Sequence, residues 1–195
     1  MHLAEGVLNA PTLLTSALLA LGGVAIGLKR LDDNRLPLAA LLGAVIFVAS
    51  SVHVPIGVGS VHLILNGVAG LLLGWAAFPV IAIGLILQAA LLSYGGFAVL
   101  GANTLLLALP AVAAHYACRS LLVPKPSLLL VAGALAGVIG IAGAVLIATL
   151  LLAASGGQAF TQLIALLVVA NLPVLLIDAT VGALVISTLG RLMPQ

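Results

Sequence analysis

The feature that most constrains this chain is a succession of apolar stretches, each near the length of a membrane-crossing helix, with very short polar breaks between them. About twenty apolar residues carry a helix across the hydrocarbon core of a bilayer. The stretches occupy residues 11–28, 37–52, 63–74, 79–92, 103–118, 128–153 and 160–189, the third and fourth also readable as one bent hairpin. Only 5% of the 195 residues are charged and 64% are hydrophobic, whereas a soluble domain carries about 25% charged residues. The pattern predicts an all-α membrane protein, a polytopic bundle of about seven transmembrane helices forming a single domain over residues 1–195. A lipid bilayer is its first partner. The net charge of +2 comes from cations scattered over short loops, so no nucleic acid is expected among the others.

The cations fix an orientation. If the stretches alternate in direction, Lys29, Arg30, Arg35, Arg119, Lys125 and Arg191 all fall on one side of the membrane. The other side receives Glu5, His2, His53 and His62. The positive-inside rule then predicts an N-terminus outside and a cytoplasmic C-terminus. The start Met-His-Leu-Ala-Glu-Gly is acidic where the n-region of a signal peptide is basic. The lone cysteine, Cys118, is expected at a cytoplasmic helix end beside Arg119 and has no partner for an internal disulfide.

Two imidazoles, a proline and two glycines interrupt the hydrocarbon between Ser51 and His62. Backbone that breaks a helix at membrane depth cannot face lipid, because its polar groups would lose their hydrogen bonds. The segment is expected to line a protein-enclosed pocket or a membrane face, and neutral imidazoles bind transition metals. At the start of the chain, the Met1 amine, the His2 amide nitrogen and the His2 imidazole can close two fused chelate rings. Such a planar nitrogen set suits Ni(II) or Cu(II), and His62 could supply a fourth nitrogen. Alternatively His62 is a pocket histidine bonded to a loop carbonyl. His53 reads as a further ligand, as a group that orients one, or as an interfacial residue. His115 is expected a full membrane thickness away.

Asp178 lies in the last apolar stretch, where a carboxylate costs roughly 2.5–3.5 kcal/mol on insertion scales. It should face the interior and find a partner among Asn171, Asn103 and His115, as a lock between helices or as part of an ion path. Glu5 is expected to orient the N-terminal segment. Small residues recur every fourth position from Ala132 to Ala148, and Gly23 and Gly27 mark the first stretch. This spacing lets helix backbones approach closely, within the bundle or against another membrane subunit.

Neither lysine precedes Ser or Thr, so no phosphate-binding loop of the Walker type is present. Uphill transport would need energy from a partner, and no catalytic set or cofactor site is expected.

Four segments carry a resemblance: Met1-His2-Leu3-Ala4-Glu5-Gly6, the loop Pro55 to His62 ending Ser60-Val61-His62, Gly101-Ala102-Asn103, and Leu172-Pro173-Val174 with Asp178. Together they are similar to the CbiM/NikM family, the substrate-capture (S) components of energy-coupling-factor cobalt and nickel transporters. Val58 and Gly59 stand where that family usually carries Thr or Pro, and Asp178 where it more often carries Glu. The resemblance implies a seven-helix, N-outside protein in the cytoplasmic (inner) membrane of a prokaryote. It implies a transported Co(II) or Ni(II) ion held by the Met1 amine, the His2 amide and imidazole, and His62. It also implies a transmembrane coupling (T) subunit, cytoplasmic ATPase subunits and often a small accessory membrane subunit. Two readings of other classes remain, a self-sufficient metal permease or channel and a lipid-modifying membrane enzyme.

Overall fold

The computed structural model describes residues 3–51, 54–56 and 59–192. Helix α1 (Ala10–Arg30) begins where the Asn9 side chain accepts the Thr12 amide at 3.0 Å, a side-chain cap for a free first-turn donor. It ends on Lys29 and Arg30, cations that suit the negative end of the helix dipole. A 3-10 turn (Asp33–Arg35) capped by Asp32 leads into α2 (Leu36–Ser51).

The break after α2 holds a small antiparallel ladder, β1 (Val54–Ile56) against β2 (Gly59–Val61), with Val54 opposite Val61 and Ile56 opposite Gly59. Cross-strand pairing satisfies backbone groups that the interrupted helix leaves open, which is what the sequence required of this segment. The remaining α-helices are α3 (Asn66–Leu73), α4 (Ala77–Leu92), α5 (Leu100–Cys118), α6 (Pro126–Gly156) and α7 (Thr161–Leu192).

Among the described residues, five helical stretches are long and apolar enough to cross a membrane: Ala10–Arg30, Asp33–Ser51, Asn66–Leu92, Leu100–Leu121 and Pro126–Arg191. The seven separate spans expected from the sequence thus resolve differently. The third and fourth run on through a 3-10 turn at Gly74–Ala76, and the sixth and seventh through another at Gly157–Phe160. The last stretch is not a straight rod. Gly133 meets the Gly182 backbone, Gly137 meets Asp178, and Gly190 meets Leu129, so α6 and α7 run antiparallel in close contact.

Helix α3 is the centre of the bundle. Every residue from Asn66 to Leu71, and Leu73, is buried. A Cβ on Gly67 would fall 1.9 Å from the Ala136 carbonyl oxygen of α6, and one on Gly70 would fall 2.0 Å from that of Ala111 in α5. Backbone thus rests on backbone on two sides. The small residues Ala132, Ala136, Ala144 and Ala148 are fully buried, and Gly23 and Gly27 of α1 pack on Phe78, Trp75 and Pro79. Both small-residue patterns therefore serve contacts within this bundle.

Candidate functional site

Three of the four expected metal ligands, Met1, His2 and His53, lie outside the described residues. Among the described residues no three His, Cys, Asp or Glu side chains converge. What the structure shows is the framework holding the chain on either side of those positions.

At the N-terminal segment, Asn103 of α5 is buried and grips Leu3 with both ends of its amide. Its Oδ1 accepts the Leu3 N–H at 2.8 Å, and its Nδ2 donates to the Leu3 carbonyl at 3.1 Å. Leu3 itself is buried. Two residues on, Glu5 Oε1 accepts the Ala98 amide at 3.0 Å and lies against Gly96, whose φ of +123° suits glycine alone. Leu8 is again buried, and the Asn9 side chain donates to the Ser155 carbonyl at the end of α6. The segment is therefore an inward-packed strap fastened to α5, to the loop before it and to α6.

His62 follows β2 and is half-buried. Its Nδ1 lies 3.2 Å from the Leu63 carbonyl oxygen. A carbonyl can only accept, so in this contact Nδ1 carries a proton and donates it. Metal-binding histidines share that arrangement, with one nitrogen donating to a backbone oxygen. The same contact is the loop-carbonyl bond of the alternative reading.

Three residues later, Leu65 takes a left-handed conformation, φ +56°, and begins α3 without a side-chain cap of its own. The cap comes from elsewhere. Asp178 of α7 accepts the Ile64 and Leu65 amides, one on each carboxylate oxygen, at 3.3 and 3.1 Å. This corrects the expected partners. Asn171 bonds back to the Leu167 carbonyl of its own helix, Asn103 is occupied by Leu3, and His115 Nδ1 lies 2.9 Å from the Leu71 carbonyl oxygen. Side-chain pairing across helices was a reasonable expectation for a lone acid. The amides leading into a short buried helix offer better donors, because the helix itself gives them no partner.

Asn66 completes the framework. Its Nδ2 donates to the Leu107 carbonyl of α5 at 2.9 Å and to the Gly140 carbonyl of α6 at 3.1 Å, while its buried Oδ1 has no partner among the described residues. Leu107 is one helical turn beyond Asn103, on the same face of α5. The strap at Leu3 and the turn between His62 and Asn66 are therefore fastened to one face of α5, and Asp178 clamps the turn from behind. Sequence reasoning singled out Asn103 and Asp178 but missed Asn66. Its position directly after an apolar run and before Gly67 was the available signal.

Buried polar side chains thus clamp a strap and a turn inside a bundle whose helices are long and apolar enough to cross a membrane, the frame of a membrane protein. The chain belongs to the family described as cobalt uptake substrate-specific transmembrane region, CbiM, whose model matches residues 2–195. It is 51% identical to a Haemophilus influenzae protein provisionally named a metal transport protein, over 100% of this chain and 96% of that one. It is 35% identical to the fused nickel transport protein NikMN of Rhodobacter capsulatus over 58% of this chain, spanning 35% of that relative. A crystal structure described as a transition metal transporter matches with a TM-score of 0.77, covering 98% of this chain and 93% of that one, at 23% identity. At that identity the likeness is one of fold.

Proposed function

We propose that this chain is the metal-capture subunit of an ATP-driven importer of Co(II) or Ni(II). The family and the names of the relatives support the cargo. In this reading the Met1 amine, the His2 amide and imidazole, and the His62 imidazole hold the ion, with His53 as a further ligand or a group that orients one. The observation that carries it is the joint fastening of Leu3 and of the His62–Asn66 turn to one face of α5, through Asn103 and Leu107. Consecutive Cα atoms are about 3.8 Å apart, so a gripped Leu3 narrows where the two preceding residues can reach.

The topology we propose has seven crossings. The antiparallel packing of α6 on α7 supports two crossings for the last stretch, and the 3-10 turn between α3 and α4 supports a reversal there. With the N-terminus outside, His62 faces the exterior and all six cations face the cytoplasm. The chain would sit in the cytoplasmic membrane of a prokaryote, acting with a transmembrane coupling subunit, cytoplasmic ATPase subunits and an accessory membrane subunit. The fused form of the Rhodobacter relative supports a need for further components.

The test is metal binding by the purified protein, beside His62→Ala and a variant with one residue inserted before Met1. The insertion keeps every side chain but moves the amine out of the chelate. One ion bound per wild-type chain, lost in both variants, is the expected result. Normal binding by the inserted variant would remove the amine from the ligand set. Metal uptake by this chain alone in proteoliposomes would favour the self-sufficient permease instead.

A further inference from the structure

The ends of α1 and α5 bring together a group of side chains that metal capture does not use. Tyr116 is its centre. Its phenol oxygen receives Trp75 Nε1 at 3.2 Å and Arg30 Nη1 at 3.4 Å. The Arg119 guanidinium carbon sits 5.0 Å from the centroid of the same ring, within cation–π range, and the His115 ring meets it edge-on at 5.2 Å. Tyr116, Arg30 and Arg119 are all exposed.

The chemistry of this group is one-sided. With two donors on the phenol oxygen, the hydroxyl proton is turned outward, and a guanidinium can only donate. Two positive charges share one ring, and among the described residues neither arginine forms an ion pair; Arg35–Asp32 is the sole pair, at 3.8 Å. Such a surface calls for an anion with several acceptor oxygens, and phosphate suits guanidinium forks best.

The setting says which phosphate. The cluster closes two stretches, Ala10–Arg30 and Leu100–Leu121, that are long and apolar enough to cross a membrane. It therefore stands at the boundary between hydrocarbon and water, where Trp and Tyr collect. Ile26 lies one turn before Arg30 and Leu109 two turns before Tyr116, and both are exposed apolar side chains on the same helix faces as the cluster. Donors at the rim with bare hydrocarbon beneath them match a headgroup with its acyl chains. The geometry points to a binding site for the phosphate of an anionic phospholipid at Arg30, Tyr116 and Arg119.

Native mass spectrometry of protein taken from vesicles of equal phosphatidylglycerol and phosphatidylcholine tests this. The wild type keeps phosphatidylglycerol several-fold in excess. Arg30→Gln with Arg119→Gln abolishes the preference, each single variant reduces it, and Arg35→Gln, outside the cluster, leaves it intact. Retained metal binding by the double variant shows that it is folded. A wild type without preference overturns the proposal and leaves this face to an acidic protein partner. A preference lost equally in Arg35→Gln overturns it in favour of diffuse charge. Release of the lipid by millimolar inorganic phosphate overturns it in favour of a free-anion site.

Discussion

The Asp178 carboxylate and the Leu65 amide lie 3.1 Å apart across a sequence separation of 113 residues. That contact makes an acid of α7 the cap of α3 and holds a left-handed leucine in place. A non-glycine residue at positive φ costs about 1–3 kcal/mol and persists only where its surroundings over-determine it. Here one carboxylate oxygen takes Leu65 and the other takes Ile64. The turn that follows His62 thus has its shape set from a different helix.

Asp178→Asn keeps the size of the side chain but leaves one acceptor where two are used. Hydrogen bonds to a charged group contribute about 1.5–3 kcal/mol each. The substitution should lower the unfolding temperature and weaken metal binding at least tenfold, about 1.4 kcal/mol. Calorimetric unfolding beside isothermal titration reads both. Unchanged values for the pair would sink the capping role.

Asn103→Ala strips the Leu3 N–H and C=O of their partners in a buried place. Each unmet group costs about 1–3 kcal/mol, so the strap should detach at Leu3 while α5 stays helical. Hydrogen exchange should rise at residues 3–5 and remain slow in α5. Equal acceleration throughout α5 would mean a general loss of structure and not a released strap.

Much of this framework was legible in the chain itself. The apolar stretches predicted their helices to within a few residues, as with α1 and α5, because helices inside a bilayer are apolar whether they face lipid or the bundle core. Asp178 stood out because a membrane acid is costly enough to need a reason. Its partners were not legible, because they are backbone amides, and backbone groups leave no mark on sequence. The number of crossings was less legible, because the third and fourth stretches, and the sixth and seventh, are joined by single 3-10 turns at Gly74–Ala76 and Gly157–Phe160 and not by polar loops. Asn66 was hidden by its surroundings, since a lone amide in hydrocarbon declares no geometry until α5 and α6 are packed around it.

Gly67→Ala and Gly43→Ala form a matched pair. The first places a methyl 1.9 Å from the Ala136 carbonyl oxygen, whereas the second meets only Val80 Cγ1 at 3.5 Å. Gly67→Ala should abolish the monodisperse folded protein on size exclusion in detergent. Gly43→Ala should be neutral or stabilising by up to about 1 kcal/mol, the helix preference for alanine. Equal behaviour of the two would contradict the close crossing of α3 and α6.

Cys118 is the lone thiol and is 1% exposed. In folded protein a maleimide should fail to label it on the minute scale, and full labelling should follow denaturation in dodecyl sulfate. Rapid labelling of the folded form would show that the end of α5 opens.

The proposed nitrogen ligands bind metal only when deprotonated. Affinity should therefore fall as the pH is lowered, with protons released on binding. A titration of nickel affinity between pH 8 and 5.5 reads this directly. A flat profile would exclude imidazole from the site.

The bare glycines of α3 have a mechanical meaning. A helix resting on two neighbours through side chains can slide or roll, because side chains change rotamer. One seated backbone on backbone at Gly67 and Gly70 has no such slack. A displacement of the turn after His62 is then passed to α5 and α6 as movement of whole rods, by stiffness and without a chain of adjustable contacts.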